Sequence, residues 1–300
     1  MMKQIRLKEQ KTHGNPIYPV STYSITCSAD IPLLELHWHE ELEFLLVTEG
    51  SAMFRVDAND YEVHAGEAIF INSGMLHSGY VTSESPCAFQ AVVFHANILR
   101  GSSVDLIFDQ YMNPLIQHQI LAPVHLRTIP GEQLEILIML RQLFDVDQAK
   151  KYASELHIKG ILYSAMSTLL QMCAPLQRLK ADSDSVRMAR IKAVVEFIEH
   201  SYADQITLMQ LAELASMSEA YFCRFFKKIT TKSPITYLNY YRVQRAAQLL
   251  TSTDSKIMEV ALDVGFNSLS YFNTVFRQRF DCTPKQYRKS ARHEGVKLLE

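Results

Sequence analysis

The amino-acid sequence predicts a two-domain α+β protein, in which a β-barrel with a helical hairpin precedes an all-α domain. Apolar and polar residues alternate between turn signals over residues 37–77, a pattern typical of short strands that form a barrel. Two apolar helical segments follow at about 132–144 and 153–173. Beyond residue 200 the sequence repeats itself, and both copies have helical spacing.

The strands of the predicted barrel carry a patterned set of polar residues. The stretch 37–50 has the spacing H-x-H-x3-E-x6-G, and a third histidine follows two glycines further along the chain. Turns are expected at Asn59-Asp60 and Ala65-Gly66. These segments resemble the two signature motifs of the cupin barrel, although Asn72 stands where the second motif usually has Pro.

Two imidazoles at i and i+2 point to the same side of a strand. We expect the set to line a metal-free pocket that binds the hydroxyl groups of a small molecule. The alternative is a three-histidine, one-carboxylate site for a divalent transition metal such as Zn, Fe, Ni or Mn. The residues expected to bind the small molecule are His37, Trp38, His39, Glu43 and His77. All of them except Trp38 are also the candidate metal ligands of the alternative.

The two parts of the chain differ in charge. The sequence predicts a first domain over 1–173, a polar linker at 174–186 and a second domain over 187–300. Residues 1–185 carry 13 Lys and Arg against 21 Asp and Glu, whereas residues 186–300 carry 17 against 11. This asymmetry predicts a polyanion as the partner of the basic second part.

Several classes of protein are disfavoured by composition. No apolar run approaches the roughly 18 residues of a membrane span. The polar N-terminal stretch lacks the apolar core of a signal peptide, so we expect a cytoplasmic protein without membrane contact. The cysteines form no C-x-x-C pair and are expected to be reduced thiols: Cys27, Cys87, Cys173, Cys223 and Cys282.

The repeat lies in the basic part of the chain. Residues 221–237 and 271–287 align without a gap, fifty positions apart. Both copies have Tyr-Phe, then Phe followed by a basic residue, then Ser or Thr before Pro, and finally Tyr. Two copies at this spacing indicate a duplicated module rather than a solenoid.

Each copy is expected to form a helix, a tight turn and a second helix. The start and stop signals are a capping box, N-cap hydroxyls, a glycine C-cap and N1 prolines. They are Thr207 with Gln210, Ser218, Gly265, Ser268, Ser233-Pro234 and Thr283-Pro284. Between the copies, the apolar spacing predicts one helix of about 17 residues, roughly 26 Å long.

This arrangement resembles the DNA-binding domain of AraC/XylS-type transcriptional regulators, over about residues 187–292. Members of that family carry two helix-turn-helix units joined by one long helix. The resemblance implies a regulator rather than an enzyme, with double-stranded DNA as its partner. It also implies a homodimer that commonly activates transcription through contact with RNA polymerase. The domain over 1–173 would then serve for sensing and dimerisation, and many members with such a barrel sense a sugar as their small-molecule effector.

The resemblance assigns residues of each unit to DNA. Arg224 has the geometry to bind guanine, and Asn273 to bind adenine. The expected base-facing residues are Glu219, Ala220, Cys223, Arg224, Ser268, Leu269, Ser270, Asn273 and Thr274. The expected phosphate contacts are Lys227, Lys228, Arg277 and Arg279. Family members often have Arg where Thr274 stands, so the second unit is expected to read its site weakly or through DNA shape.

Two alternative functions remain open from the sequence. A metal-dependent cupin enzyme fused to a DNA-binding domain would use the histidines and Glu43, but no second set of acid and base residues accompanies them. A DNA-repair or redox-sensing protein would need a reactive cysteine, and neither Cys223 nor Cys282 has a neighbouring His or Glu relay in the sequence.

Overall fold

The computed structural model describes residues 7–9, 11–27, 33–81, 86–101, 105–175 and 184–297. The chain divides into two compact units, one spanning Leu7–Ala181 and the other containing Asp182–Glu300. Of the predicted linker, residues 176–183 lie outside the described part of the chain, whereas Asp184 already begins a helix.

Two antiparallel sheets form the β-rich part of the first unit. The five-stranded sheet has the order β1-β8-β3-β6-β10 and the four-stranded sheet the order β2-β7-β4-β5. The strands are β1 (Val20–Cys27), β2 (Leu34–His37), β3 (Leu42–Glu49), β4 (Ser51–Val56), β5 (Asn59–His64), β6 (Ala68–Ile71), β7 (His77–Val81), β8 (Cys87–Phe94), β9 (Ile120–Leu121), β10 (His125–Leu126) and β11 (Ala174–Pro175), the last pairing with β9. The predicted β-rich domain is confirmed, but over the described residues its strands form these two larger sheets and the β9–β11 pair, with no closed barrel.

Strand β3 is buried on both faces because it lies between two cores. Leu42, Phe44 and Leu46 point towards the helices α2 (Glu132–Ala149) and α3 (Ser154–Gln171), where one apolar cluster forms. Leu45 and Val47, on the opposite face, belong to a second cluster that joins the two sheets. Residue 43 shares this inter-sheet face by the period of two along a strand, so a glutamate there is forced into the interior.

The predicted helical hairpin is present and covers the five-stranded sheet. It consists of α2 (Glu132–Ala149) and α3 (Ser154–Gln171), which pack against each other. A short 3₁₀ helix (Ala96–Leu99), a π turn (Phe108–Met112) and helix α1 (Asn113–Ile116) lead into it. No helix of the described residues is long and apolar enough to span a membrane.

One predicted turn is wrong. The β4–β5 hairpin turns at Asp57 and Ala58, while Asn59 and Asp60 already pair with Val56 and Arg55 as part of β5. Asp57 takes a left-handed φ of 51°, which aspartate tolerates better than most residues. The Asp57 carboxylate also accepts the backbone N–H of Leu76 at 3.0 Å, a long-range bond that local turn signals do not contain.

The second unit is helical and contains the two predicted helix-turn-helix pairs, α5–α6 and α8–α9. Helix α7, of 19 residues, joins them and is about 28 Å long. The helices are α4 (Asp184–Ser201), α5 (Leu208–Leu214), α6 (Glu219–Thr230), α7 (Pro234–Ser252), α8 (Ile257–Asp263), α9 (Leu269–Phe280) and α10 (Pro284–Lys297).

Most of the predicted caps form. Thr207 and Gln210 make a capping box, and the hydroxyl groups of Ser233 and Thr283 accept backbone N–H groups of the first turns of α7 and α10. Ser218 occupies the N-cap position of α6, but its side chain makes no capping hydrogen bond. Gly265 follows α8 with a φ of +90°, a conformation that favours glycine.

Candidate DNA-binding surface and effector site

Helix α6 has one buried and one exposed face, as its sequence predicts. Phe222, Phe225 and Phe226 are buried against the core of the unit. The other face carries every residue of this helix that is expected to contact DNA. Cys223 is half-buried and the others are exposed: Glu219, Ala220, Arg224, Lys227 and Lys228. This face can therefore present both the base-facing and the phosphate-facing groups.

Helix α9 also exposes its predicted residues, but offers fewer free polar groups. Ser268, Leu269, Ser270, Asn273, Thr274 and Arg277 are exposed, and Arg279 is half-buried. The Ser268 hydroxyl accepts the backbone N–H of Tyr271 at 3.3 Å, and the Thr274 hydroxyl donates to the carbonyl of Ser270 at 3.0 Å. Asn273 is consequently the residue of this set best able to form the two hydrogen bonds that distinguish a base.

Two arginines that the sequence analysis did not single out stabilise the two helix-turn-helix pairs. Arg242 is 8% exposed and donates from Nε to the carbonyl of Tyr202 and from Nη2 to that of Asp204, both at 2.7 Å. Arg288 donates to the carbonyls of Leu250, at 3.1 Å, and Ser255, at 2.7 Å. Each arginine braces the chain that leads into the first helix of one pair.

The predicted effector residues of the first unit converge where the two sheets meet. His37 and His77 are directly opposite each other on β2 and β7, with ring centroids 4.2 Å apart. The ring of His39 lies 5.0 Å from that of His77. Glu43 reaches them from β3, with its Oε2 atom 3.2 Å from Nε2 of His39 and 3.3 Å from Nε2 of His77.

Each of the three rings is oriented by a backbone carbonyl. The Nδ1 atoms of His37, His39 and His77 lie 2.7, 3.2 and 2.8 Å from the carbonyl oxygens of residues 35, 41 and 75. Because a carbonyl oxygen only accepts, each Nδ1 must carry a hydrogen, so the Nε2 atom of a ring can donate to a nearby carboxylate only when both nitrogens of that ring are protonated. The three candidate ligand atoms lie within 4.8 Å of one another.

The buried position of the cluster shifts its protonation equilibria. Burial opposes ionisation of Glu43, but hydrogen bonds from His39 and His77 outweigh it and hold the pKa of that carboxyl well below its usual range. Burial, with the neighbouring His77, lowers the pKa of His37 to about 4. Burial also disfavours a charged His39, but the bond to Glu43 outweighs this effect and raises the pKa of His39.

Trp38 lies between the two histidines in sequence and is 6% exposed. The Nζ atom of Lys8 is 4.9 Å from the centroid of its ring. Its backbone bonds with the N-terminal segment, since Trp38 N–H donates to Leu7 at 2.7 Å and Glu9 N–H donates to Trp38 at 2.9 Å. Trp38 therefore anchors that segment beside the cluster.

The N-terminal segment adds two side chains that the sequence did not predict for the site. The Oε2 atom of Glu9 is 3.4 Å from Nε2 of His37 and accepts from Nε2 of His13 at 3.0 Å. The Nδ1 atom of His13 is 2.9 Å from the hydroxyl of Tyr23. The one sequence signal that could have indicated this pair was the i, i+4 spacing of Glu9 and His13, and such spacing is common on protein surfaces.

A separate cavity of about 460 Å³ lies in the same unit, beside α3. Its walls are mainly apolar, with a few hydroxyl and amide groups. The lining residues are Leu99, Ile107, Phe108, Tyr111, Met112, Tyr163, Met166, Ser167, Leu170 and Gln171. This volume is within the range of small-molecule sites.

Known proteins similar to this chain share both of its parts. Residues 26–166 match the AraC-like ligand binding domain family, and residues 211–290 match a helix-turn-helix domain family. The HTH-type transcriptional regulator YdeC of Bacillus subtilis is 30% identical over 284 residues, which cover 94% of this chain and 96% of YdeC. The HTH-type transcriptional activator RhaS of Escherichia coli is 22% identical, covering 92% and 96% of the two chains.

Among solved structures, ToxT from Vibrio cholerae is similar with a TM-score of 0.40 and 14% identity, covering 90% of this chain and 97% of ToxT. The relation to YdeC carries more weight, because it extends over nearly the full length of both chains at 30% identity. Each matched domain also lies within one of the two units of the structure. The chain belongs to the AraC family of transcriptional regulators, with a ligand-binding domain followed by a helix-turn-helix DNA-binding domain.

Proposed function

We propose that this chain binds a promoter site sequence-specifically with both helix-turn-helix units and activates transcription through contact with RNA polymerase. The observation that carries the proposal is the exposed face of α6, where Arg224 projects beside Lys227 and Lys228. An arginine that can fork onto guanine, flanked by lysines that neutralise phosphates, is the chemistry of major-groove binding. The cytoplasm is the compartment in which such a protein meets DNA.

Helices α6 and α9 would occupy successive major grooves. Their α7 connection is about 28 Å long, comparable to the roughly 34 Å of one turn of DNA. A footprint of the full chain on its site should therefore show two protected patches about one helical turn apart. A single protected patch would contradict the use of both units.

A homodimer is part of the proposal. Ile138 on α2 and Leu156 on α3 are 54% and 72% exposed, so the hairpin offers apolar surface for a second copy. Sedimentation of the full chain at micromolar concentration should give twice the mass of 34.3 kDa. A protein that stays monomeric and nevertheless protects two copies of its DNA site would contradict the proposed homodimer.

The first domain is proposed to bind a small-molecule effector without catalysing a reaction. The histidine cluster is too closed for a sugar, since the side chains of His39, Glu43 and His77 are only 3%, 5% and 1% exposed. The cavity beside α3 has the volume, but its apolar walls favour an apolar or aromatic molecule over a polyhydroxylated one. Narrowing this cavity with Met166→Trp should abolish the response to such an effector while DNA binding persists.

A further inference from the structure

We infer that Cys27 and Cys87 form a reversible disulfide bond between β1 and β8 when the chain meets a low-molecular-weight disulfide such as oxidised glutathione. Neither cysteine belongs to the histidine cluster or lines the cavity beside α3. Both lie in the first unit, away from the helices proposed to bind DNA. The inference therefore does not depend on which effector or which DNA site the protein recognises.

The two cysteines are strand partners. The antiparallel β1–β8 ladder pairs Val20 with Phe94 at one end and Cys27 with Cys87 at the other. Side chains directly opposite each other in such a ladder share one face of the sheet. The Cα atoms of opposite residues are about 4.5 or 5.5 Å apart, depending on their hydrogen-bonding position, and both values lie within the range of disulfide-bonded cysteines. The backbone is thus already placed for the bond.

Burial gives the two thiols different accessibility. Cys87 is fully buried in the cluster that joins the two sheets, whereas Cys27 is half-buried and packs against the same cluster. Burial raises the pKa of both thiols, and the neighbouring Cys27 and Glu49 raise the pKa of Cys87 further. A reagent from solvent therefore reaches Cys27 first, and Cys87 is close enough to react with the product.

The place of the pair in the ladder allows the small movement that the bond requires. Cys27 is the last residue of β1 and Cys87 is the first residue of β8. Opposite Cβ atoms, about 4.5–5.5 Å apart, must approach by roughly 1 Å to reach the spacing of a disulfide. On the other side of β8, the pairing with β3 shifts register between Val47 and Glu49. The end of β8 is consequently the part of the ladder that such a movement disturbs least.

The exchange with oxidised glutathione balances without a further reactant. The thiolate of Cys27 attacks one glutathione sulfur, which forms a mixed disulfide and releases one glutathione thiolate. The thiolate of Cys87 then attacks the Cys27 sulfur and releases the second glutathione thiolate. The two released thiolates take up the protons lost by the cysteines, so two cysteine thiols are oxidised and one glutathione disulfide is reduced. The raised pKa of each cysteine makes both attacks slow near neutral pH.

The bond would restrain an edge strand. In the five-stranded sheet β1 has one neighbour, β8, so it is held by a single ladder. A disulfide at its end would fasten it covalently and would close a loop of chain that contains β2 to β7. Closing a long loop restricts the unfolded chain and thereby stabilises the folded state. Oxidation should therefore stabilise the first unit.

The test uses the full chain, reduced and then freed of the reductant. It is equilibrated at about pH 8.5, near the ordinary pKa of a thiol, with glutathione mixtures of increasing oxidised fraction. After acid quenching and alkylation, mass spectrometry of proteolytic peptides locates the disulfides. We expect an intrachain bond between residues 27 and 87 that excess reduced glutathione reverses. A wild-type chain that forms no such bond in oxidised glutathione alone, or forms it only between two chains, would overturn the inference.

Variants identify the pair. Cys27→Ser should abolish the cross-link and leave DNA binding unchanged, and Cys27→Ala takes its place if the serine variant fails to fold. Cys173→Ser is the matched control, because Cys173 is another half-buried cysteine of the first unit, with its thiol 3.5 Å from the carbonyl oxygen of Leu169. It should form the bond as the wild type does. A cross-link that survives in Cys27→Ser, or is lost in Cys173→Ser, would contradict the assigned pair.

Thermal unfolding tests the restraint on β1. The fluorescence of Trp38, the only tryptophan of the sequence, reports unfolding of the first unit. Oxidised wild-type protein should melt at a higher temperature than the reduced protein, whereas Cys27→Ser should melt at the same temperature after either treatment. Oxidised wild-type protein that melts no higher than the reduced form would contradict the restraint.

Discussion

A Cβ atom at Gly265 would lie 2.7 Å from the backbone oxygen of Ala203. Gly265 also has a φ of +90°, which side chains rarely adopt. Gly265→Ala should therefore destabilise the helical unit by about 1–3 kcal/mol or more, because strain and a backbone clash add. Urea unfolding followed by far-UV circular dichroism would measure the loss.

The matched control for that substitution is Gly160→Ala. Gly160 is exposed within α3, and nothing lies within 4 Å of a Cβ placed there. Alanine should stabilise this helix by up to about 1 kcal/mol. Trp38, the only tryptophan of the sequence, reports the first unit by fluorescence, so the two effects can be assigned to separate units. A destabilising Gly160→Ala would contradict the exposed helical environment.

Arg224 and Lys228 should differ in what they contribute to DNA binding. Arg224→Ala should cost about 1–3 kcal/mol on the specific site and relax the preference at one base pair. Lys228→Ala should weaken binding to all sequences about equally, because a phosphate contact does not read sequence. Competition binding with a randomised site measures both, and identical profiles would contradict the assignment.

Salt should weaken DNA binding steeply. With about six to eight phosphate contacts, affinity should fall on the order of a thousandfold between 50 and 200 mM salt. Fluorescence anisotropy with the full chain and with the fragment 180–300 would give the two slopes. The fragment should bind DNA on its own, with the same salt dependence as the full chain. Affinity that does not change with salt concentration would contradict a basic DNA interface.

Thr274→Arg should strengthen DNA binding by the second helix-turn-helix unit. The Thr274 hydroxyl is bonded within α9 to Ser270, so it contributes little to DNA in its present rotamer. An exposed arginine there would add a forked donor and a charge, which we expect to raise affinity for DNA with guanine at that position by about 1–3 kcal/mol. Thr274→Lys is the control, since it adds charge without the fork. Equal gains would attribute the effect to charge alone.

Arg242→Met should destabilise the first helix-turn-helix unit. The substitution removes the two hydrogen bonds that the Arg242 guanidinium donates to the carbonyls of Tyr202 and Asp204, and a bond to a charged group contributes about 1.5–3 kcal/mol. Arg277→Met is the control, because Arg277 is an exposed arginine of α9. Comparable losses for both would contradict the bracing role of Arg242.

The DNA-binding unit was largely predictable because its signals are local. Capping by Thr207 and Gln210, the proline at the start of α7 and the glycine after α8 all act within a few residues. The failed cap at Ser218 shows the limit of such signals, since the position was correct but the side chain makes no bond. Which exposed residues face DNA remains a prediction.

The effector domain was less predictable because its contacts are long-range. The histidine pair His37 and His77 followed from resemblance to known barrels, and strand pairing brings the two together. Glu9 could not be found this way, because its place depends on backbone bonding between residues 7–9 and Trp38. Asn72 is similar: its side chain donates to the carbonyl of Leu115 at 2.6 Å, a use of asparagine that no local pattern reveals.

The arginine braces affect the order in which the DNA-binding unit can assemble during synthesis. Arg242 bonds to carbonyls 38 and 40 positions earlier, and Arg288 to carbonyls 33 and 38 positions earlier. A ribosome must therefore release the chain as far as the middle of α7 before the first helix pair gains its brace, and as far as the first turns of α10 before the second pair does. A nascent chain that stalls before residue 288 would carry one braced unit and one unbraced unit, with only the first ready to meet DNA.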